Sequence, residues 1–435
     1  EQDISMRLKQ DILKNARQMN AFQCLIGLAC LKGGHPGLGA LGRRSLDNAQ
    51  KRGYPVRMGC KVMRAALAAA LCTPTPGFAV TSVPIPEKAQ WESNMIAKGA
   101  SVCNGLTTVL DSIYYDAQRV YYQIAQYTGN TAYWNACAAK AEAIYRDQFV
   151  IPNNGNVQGN WIFTMGLRRD FERTGDVTSK NTAELISRNA AFARDTSCCP
   201  APAGYNPASQ EMSREVAYSI NSYMDTEALG YPKRKNKDLY ISYALGHIDQ
   251  WFVTFSNPIV PNKWWIQPFM VGLTMRALIQ AYDETPPAQR TASMLTIPAK
   301  IKVALDGLWA GNIPGATPGQ GAWLPASEAF FYATFIDAGT CGATPCIQSP
   351  APDLNLLIAP AFAWYYLQSG DTAYRTRGDQ VFAGGVRGAY LAQGKQFDQN
   401  YIYSFDYVTW REAADGKYGG SDTAPAAPTA LSALP

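Results

Sequence analysis

The sequence predicts an all-α protein assembled from successive helical hairpins, with only a few short strands in its loops. Two observations carry this. Runs with apolar residues at steps of three and four follow one another from about residue 90 to about 410. They are separated by a recurring punctuation, Thr128-Gly129-Asn130, Thr174-Gly175-Asp176 and Ser369-Gly370-Asp371. Glycine just past a helix end takes the left-handed conformation that stops the helix, and the following Asn or Asp caps the next one. One tripeptide thus closes a helix and opens its neighbour.

Residues 1–79 read as a pre-sequence, an upstream extension followed by a signal peptide over Met63–Ala79. Lys61 and Arg64 form a basic start, Ala65–Leu71 a short apolar run, and Gly77-Phe78-Ala79 places small residues at a cleavage site. Charge is skewed the same way. Residues 1–64 hold 12 Lys and Arg against four Asp and Glu, leaving 27 against 30 for the rest of the chain. The near-neutral body has no basic stripe, which argues against nucleic-acid binding. No apolar run reaches the ~20 residues of a membrane span. Six cysteines follow residue 80, an even number compatible with disulfides in an exported protein, secreted or periplasmic. Cys341 and Cys346 bracket a turn, and Cys198 and Cys199 are expected to pair outward with Cys103 and Cys137.

The first helix of the body is expected over 106–125, where Leu106, Leu110, Ile113, Ala117, Val120 and Ile124 share a face. Others follow near 131–148, 157–173, 178–195, 209–229, 236–253, 265–284, 289–310, 327–338, 353–369, 373–392 and 401–413. The glycines Gly129, Gly175 and Gly230 recur at the spacing of two helices and their connections. Pro/Gly-rich stretches at 199–207, 312–321 and 339–352 are the long loops. A flexible tail is expected from 413 to 435.

About six hairpins in succession, and above all Tyr115-Asp116-Ala117-Gln118-Arg119-Val120 running into Gln126-Tyr127-Thr128-Gly129-Asn130-Thr131-Ala132-Tyr133, resemble the six-hairpin (α/α)6 toroid superfamily over residues ~90–410. The resemblance implies a toroid domain over 80–412 and, for many members, glycoside hydrolysis, with polysaccharide lyases and sugar epimerases as others. The chain shows no motif of any one family.

The residues narrow the chemistry. The body has a single histidine, His247, read as a helix-face residue bonded to a neighbour, and neither a GxSxG elbow, a P-loop nor a dinucleotide fingerprint. No CxxC pair points to a metal. No cofactor or metal is expected, and carboxylates and tyrosines remain for proton transfer. Glycoside hydrolysis needs two carboxyl groups, one acid and one base or nucleophile. The candidates are Asp111, Glu215, Asp116 and Glu328, with Asp111 and Glu215 first. Asp111 leads a stripe of Tyr115, Gln118 and Tyr122, and Glu215 opens a helix after a long loop. Each has an ordinary alternative: Asp111 and Glu215 serve a helix dipole, Asp116 pairs with Arg119 on the surface, and at Glu328 the preceding Ser327 reads as an N-cap. Substrate contacts are expected from Tyr115, Trp161, Arg214, Tyr218, Trp264, Trp265, Trp323 and Asp353. Trp264 and Trp265 are expected to diverge by about 100° on a helix, and Asp353 also reads as an N-cap. The expected partner is a carbohydrate, met by a monomer. A lyase using Tyr with Arg214 or Arg168, and a non-catalytic glycan-binding protein, are the alternatives.

Overall fold

A computed structural model describes residues 83–193, 206–259, 264–314, 316–336, 346–347 and 349–418. The chain divides into two units, Glu1–Phe78 and Ala79–Pro435, and every described residue belongs to the second. The expected pre-sequence, residues 1–79, lies outside the described residues.

The described chain is largely helical: α1 (Lys88–Asn104), α2 (Ala117–Thr128), α3 (Thr131–Glu142), α4 (Met165–Thr174), α5 (Val177–Asn189), α6 (Ser213–Ala228), α7 (Lys237–Phe252), α8 (Pro268–Glu284), α9 (Ala292–Leu295), α10 (Ile297–Ala310), α11 (Ala359–Ser369), α12 (Thr372–Arg387), α13 (Gly394–Tyr401) and α14 (Ser404–Tyr418). A π-helical segment, Ala143–Val150, continues α3. Helix α2 packs on α3, α4 on α5, α6 on α7, α8 on α10 and α11 on α12. The first members of these pairs also touch in order, α2 on α4, α4 on α6, α6 on α8 and α8 on α11, and α11 packs on α14. Arg119 of α2 meets Asp406 of α14 at 3.2 Å.

The punctuation is built as expected. Gly129, Gly175 and Gly370 have φ of 70°, 78° and 73°. Asn130, Asp176 and Asp371 accept the backbone N–H of Tyr133, Thr178 and Ala373 at 3.5, 2.7 and 2.9 Å. The preceding hydroxyl adds a link the sequence had not suggested. Thr128, Thr174 and Ser369 each donate to a carbonyl four residues back and accept the N–H of the capping residue at 3.1–3.2 Å. Each turn therefore satisfies its own polar groups.

The connections entering α2, α8 and α11 differ from expectation. The helix expected over 106–125 is broken: Leu110–Ile113 is a 3-10 turn, and Tyr115 and Asp116 take left-handed φ of 69° and 59° before α2 begins. Apolar spacing alone carries no information about φ, so the pattern ran through the break. Trp264 and Trp265 lie on strand β1 (Trp264–Ile266), not a helix. The helix expected over 327–338 is replaced by β3 (Ala329–Phe330), paired with β2 (Trp323–Leu324), and β4 (Thr334–Ile336), which lies between β1 and β5 (Cys346–Ile347). All pairings are antiparallel. Helix α14 runs to Tyr418, past the expected start of the tail.

Cys103 and Cys137 pair with each other, tying α1 to α3, rather than with Cys198 and Cys199. Those two cysteines and Cys341 lie outside the described residues. His247 is buried and its Nε2 meets the Pro207 carbonyl at 2.9 Å. Burial pushes its pKa down to about 4, so it is a structural, neutral imidazole. No helix of the described residues is long and apolar enough to cross a membrane.

Candidate functional site

Helix α2 is buried on all sides from Ala117 to Ala125, yet that run includes Gln118, Arg119 and Gln123. A helix enclosed all round is ordinarily apolar. The polar residues mark an interior that is charged where helices α2, α6, α8 and α14 approach one another.

Asp116 is placed by the break before α2. Its left-handed backbone folds the carboxylate back over the helix start, where Oδ1 accepts the Arg119 N–H at 3.3 Å and Oδ2 the Gly166 N–H at 2.9 Å. Gly166 is required there, because a Cβ would lie 2.3 Å from Asp116 Oδ1. From α6, Tyr218, Asn221 and Asp225 project at steps of three and four. Asp225 is fully buried and accepts from Thr164 Oγ1 (2.6 Å), Gln280 Nε2 (2.9 Å) and Arg168 Nη1 (3.3 Å). Asp116, Arg119, Tyr218, Asn221, Asp225 and Tyr403 line a common cavity of about 20 Å³, room for a water molecule. Arg119 Nε, Tyr218 Oη and Asn221 Oδ1 are buried without a hydrogen-bond partner. Such atoms are rare in folded proteins and concentrate where something else binds.

The electrostatics separate the carboxylates. Burial pushes Asp116 up to about 6, with Asp225 adding to the push, while Arg119 and the two N–H bonds restrain it. Asp406 is partly buried, yet Arg276 and Arg119 hold it below the usual carboxylate range. Burial, and then the like charge of Arg119, lower Arg169 to about 10. Asp398, on α13, is fully buried with neither oxygen bonded, and burial, with Asp116 nearby, raises it well above the ordinary range.

Several expected residues gather just outside this cavity, around Tyr114. Its ring meets Tyr115 at 4.7 Å and Trp161 at 4.6 Å, edge to face, and Lys395 Nζ sits 4.9 Å from its centroid. Lys395 pairs with Asp111 at 3.6 Å. Arg214 grips Glu215 Oε1 at 2.8 Å, and both act electrostatically on Tyr114. Asp111 is open to solvent, its side chain 60% exposed, and precedes the break, so it does not share a helix face with Gln118 and Tyr122. Asp116 is no surface partner of Arg119, because both are buried and the Arg119 guanidinium pairs with Asp406.

The remaining expected residues lie elsewhere. Glu328 is exposed and bound to Arg387 at 2.5 Å. Trp264 is buried and donates to the Gln250 carbonyl, and Trp265 sits on the same strand. Trp323 is buried and stacked on Trp309 at 4.9 Å. Asp353 caps nothing: it lies inside the 3-10 segment Pro352–Leu357 and holds Gln399. The sequence reading missed Arg119, Asn221, Asp225 and Tyr403. The signal for two of them was present, because Asn221 and Asp225 continue the Tyr218 face at helical spacing.

A second acidic group, Glu142, Asp170 and Asp176, brings its oxygens within 4.8 Å of one another. Arg146 Nη1 contacts Glu142, reaches Asp176 at 2.6 Å and Ser179 Oγ at 2.8 Å, and Tyr122 donates to Asp170 at 2.6 Å. The guanidinium supplies the compensating cation. Burial nevertheless raises Glu142 to about 7, with Asp170 and Asp176 adding their charges.

No family model matches the chain, and neither the curated proteins nor the solved structures contain a match.

Proposed function

We propose that the chain is a secreted or periplasmic enzyme that hydrolyses glycosidic bonds on an (α/α)6 toroid, acting as a monomer without a cofactor. The order of helix contacts supports the toroid: α2, α4, α6, α8, α11 and α14 touch in succession, Arg119 of α2 reaches Asp406 of α14, and α3, α5, α7, α10 and α12 each pack on one of them. The disulfide supports an oxidising compartment. The fold alone would leave function open.

One observation carries the activity. Asp116, pushed up to about 6, and Asp225 line the same water-sized cavity. A protonated carboxyl beside a second carboxylate is the pairing that glycoside hydrolysis requires. Asp116 gives its proton to the leaving oxygen as the glycosidic bond breaks. A water attacks the anomeric carbon and passes its proton to Asp225. The sugar lies against Tyr114 and Trp161, while the attacking water occupies the cavity, met by Arg119 Nε, Tyr218 Oη and Asn221 Oδ1.

A panel of oligo- and polysaccharides read for new reducing ends tests this. Wild type releases sugar on at least one glycan, and Asp116→Asn and Asp225→Asn each lose it. Undiminished release by either variant removes the assignment. Tyr218, with its free hydroxyl near Arg119 and Arg214, favours a second reading, β-elimination from a uronate-containing chain. Products absorbing in the ultraviolet identify that reaction.

A further inference from the structure

A second groove lies apart from the residues around Asp116. It runs between α1 and the end of α12, encloses about 500 Å³ and is open along its length. That volume falls in the ~300–1,000 Å³ range of ligand clefts. One wall is a single face of α1: Gln90, Asn94 and Lys98 recur at steps of four, a row of about 12 Å along the helix axis. The opposite wall is the segment after α12, where Tyr390 is 52% exposed. Val386 and Leu391, both buried, form the apolar floor.

The groove's polar groups are held in place before any ligand arrives. Gln90 Nε2 donates to Asn94 Oδ1 at 2.9 Å, and both side chains line the groove. Arg387 is fixed by Glu87 at 2.6 Å and by Glu328 at 2.5 Å, so its charge is neutralised. Glu328 therefore anchors a residue of this groove and does not line the Asp116 cavity. An exposed aromatic face beside amides, with charges already paired, suits a ligand that has apolar ring faces and many hydroxyls. It suits a phosphate or an acidic peptide poorly, because Lys98 is the one cation of the groove left without an ion pair among the described residues. It suits a purely apolar partner poorly as well, because one wall is amide and ammonium.

We propose that this groove is a carbohydrate-binding site separate from the reaction site, in which a glycan strand stacks a ring on Tyr390 and hydrogen-bonds Gln90 and Asn94. The glycan class rests on the groove's own chemistry, and the proposal stands whether or not Asp116 is catalytic. Aromatic stacking and desolvated amides contribute most of the affinity at such sites.

Retardation of the intact protein in native gels containing soluble polysaccharides tests it. Wild type migrates more slowly in at least one neutral polysaccharide, and Tyr390→Ala or Gln90→Ala/Asn94→Ala loses at least tenfold in apparent affinity. Those variants keep wild-type turnover on a short oligosaccharide and the wild-type melting temperature. Unchanged retardation of Tyr390→Ala overturns the proposal, as does a wild type that no polysaccharide retards. Dimers in sedimentation that disappear in Tyr390→Ala also overturn it, because the groove would then be a contact between copies. Retardation without turnover on any glycan refutes the hydrolase reading and leaves this one intact.

Discussion

The two ends of the helices α2, α4 and α11 are built on opposite principles. Where the chain leaves them, left-handed residues are glycines, Gly129, Gly175 and Gly370, and every nearby hydroxyl and cap is satisfied within the turn. Where the chain enters α2, left-handed positions are held by Tyr115 and Asp116, and Asn154, Phe255 and Glu328 hold others within the long connections between helices, alongside glycines such as Gly155, Gly319 and Gly321. Non-glycine residues there cost about 1–2 kcal/mol each and persist where the surroundings over-determine them. The unpartnered Tyr218 Oη, Arg119 Nε and Asn221 Oδ1 belong to the entry side too. The exits satisfy their own polar groups, and the entry to α2 holds left-handed residues and unmet hydrogen bonds where chemistry is proposed.

Substitutions at the two ends should therefore separate. The largest effect is expected at the entry: Asp116→Asn lowers turnover about 10²–10⁴-fold, the usual contribution of a general acid, with no comparable loss of stability. Reducing or replacing the Cys103–Cys137 bridge removes about 2–4 kcal/mol and leaves turnover unchanged, as denaturant melts beside a glycan assay would show. At an exit, Asp371→Ala loses the bond to the Ala373 N–H and about 1 kcal/mol, again without effect on turnover. A fall in activity at Asp371→Ala equal to that at Asp116→Asn would erase the distinction between the ends.

The same contrast explains what was legible. The exits were readable because Gly and Asp state their own conformation: Gly175 can only gain from φ > 0, and Asp176 has an oxygen at capping reach. The entries were not. Nothing in Tyr115-Asp116 announces a left-handed pair, so the periodicity from Leu106 to Ile124 hid the break and misplaced Asp111. Trp264-Trp265 and Ala329-Phe330 are equally at home in helix or strand, and tertiary pairing with Ile336, Phe335 and the β2 strand decided for strand. Asp225 was overlooked because its importance arises from Thr164, Arg168 and Gln280, on two other helices and a loop. Asp116 was named, but its neighbour Arg119 suggested a surface pair. Only burial turns that pair into an interior one.

Buried ionisable groups give a final, finer separation, and their signs oppose. The native pKa of His247 lies near 4, below the ordinary 6.5, so its contribution is lost as pH falls from about 6.5 through 4. For Asp116 the native value near 6 lies above the ordinary 3.8. The native state then holds the proton more tightly, so stability is greatest below pH 4 and is lost as pH rises through 6. The direct measurement is the unfolding free energy of wild type minus that of Asp116→Asn, followed from pH 4 to pH 8. A difference that declines between pH 4 and 6 and then levels off is the result expected for a carboxyl kept protonated beside Asp225. A difference that grows with pH would show an ordinary, ion-paired carboxylate, and the acid assigned to this site would be wrong.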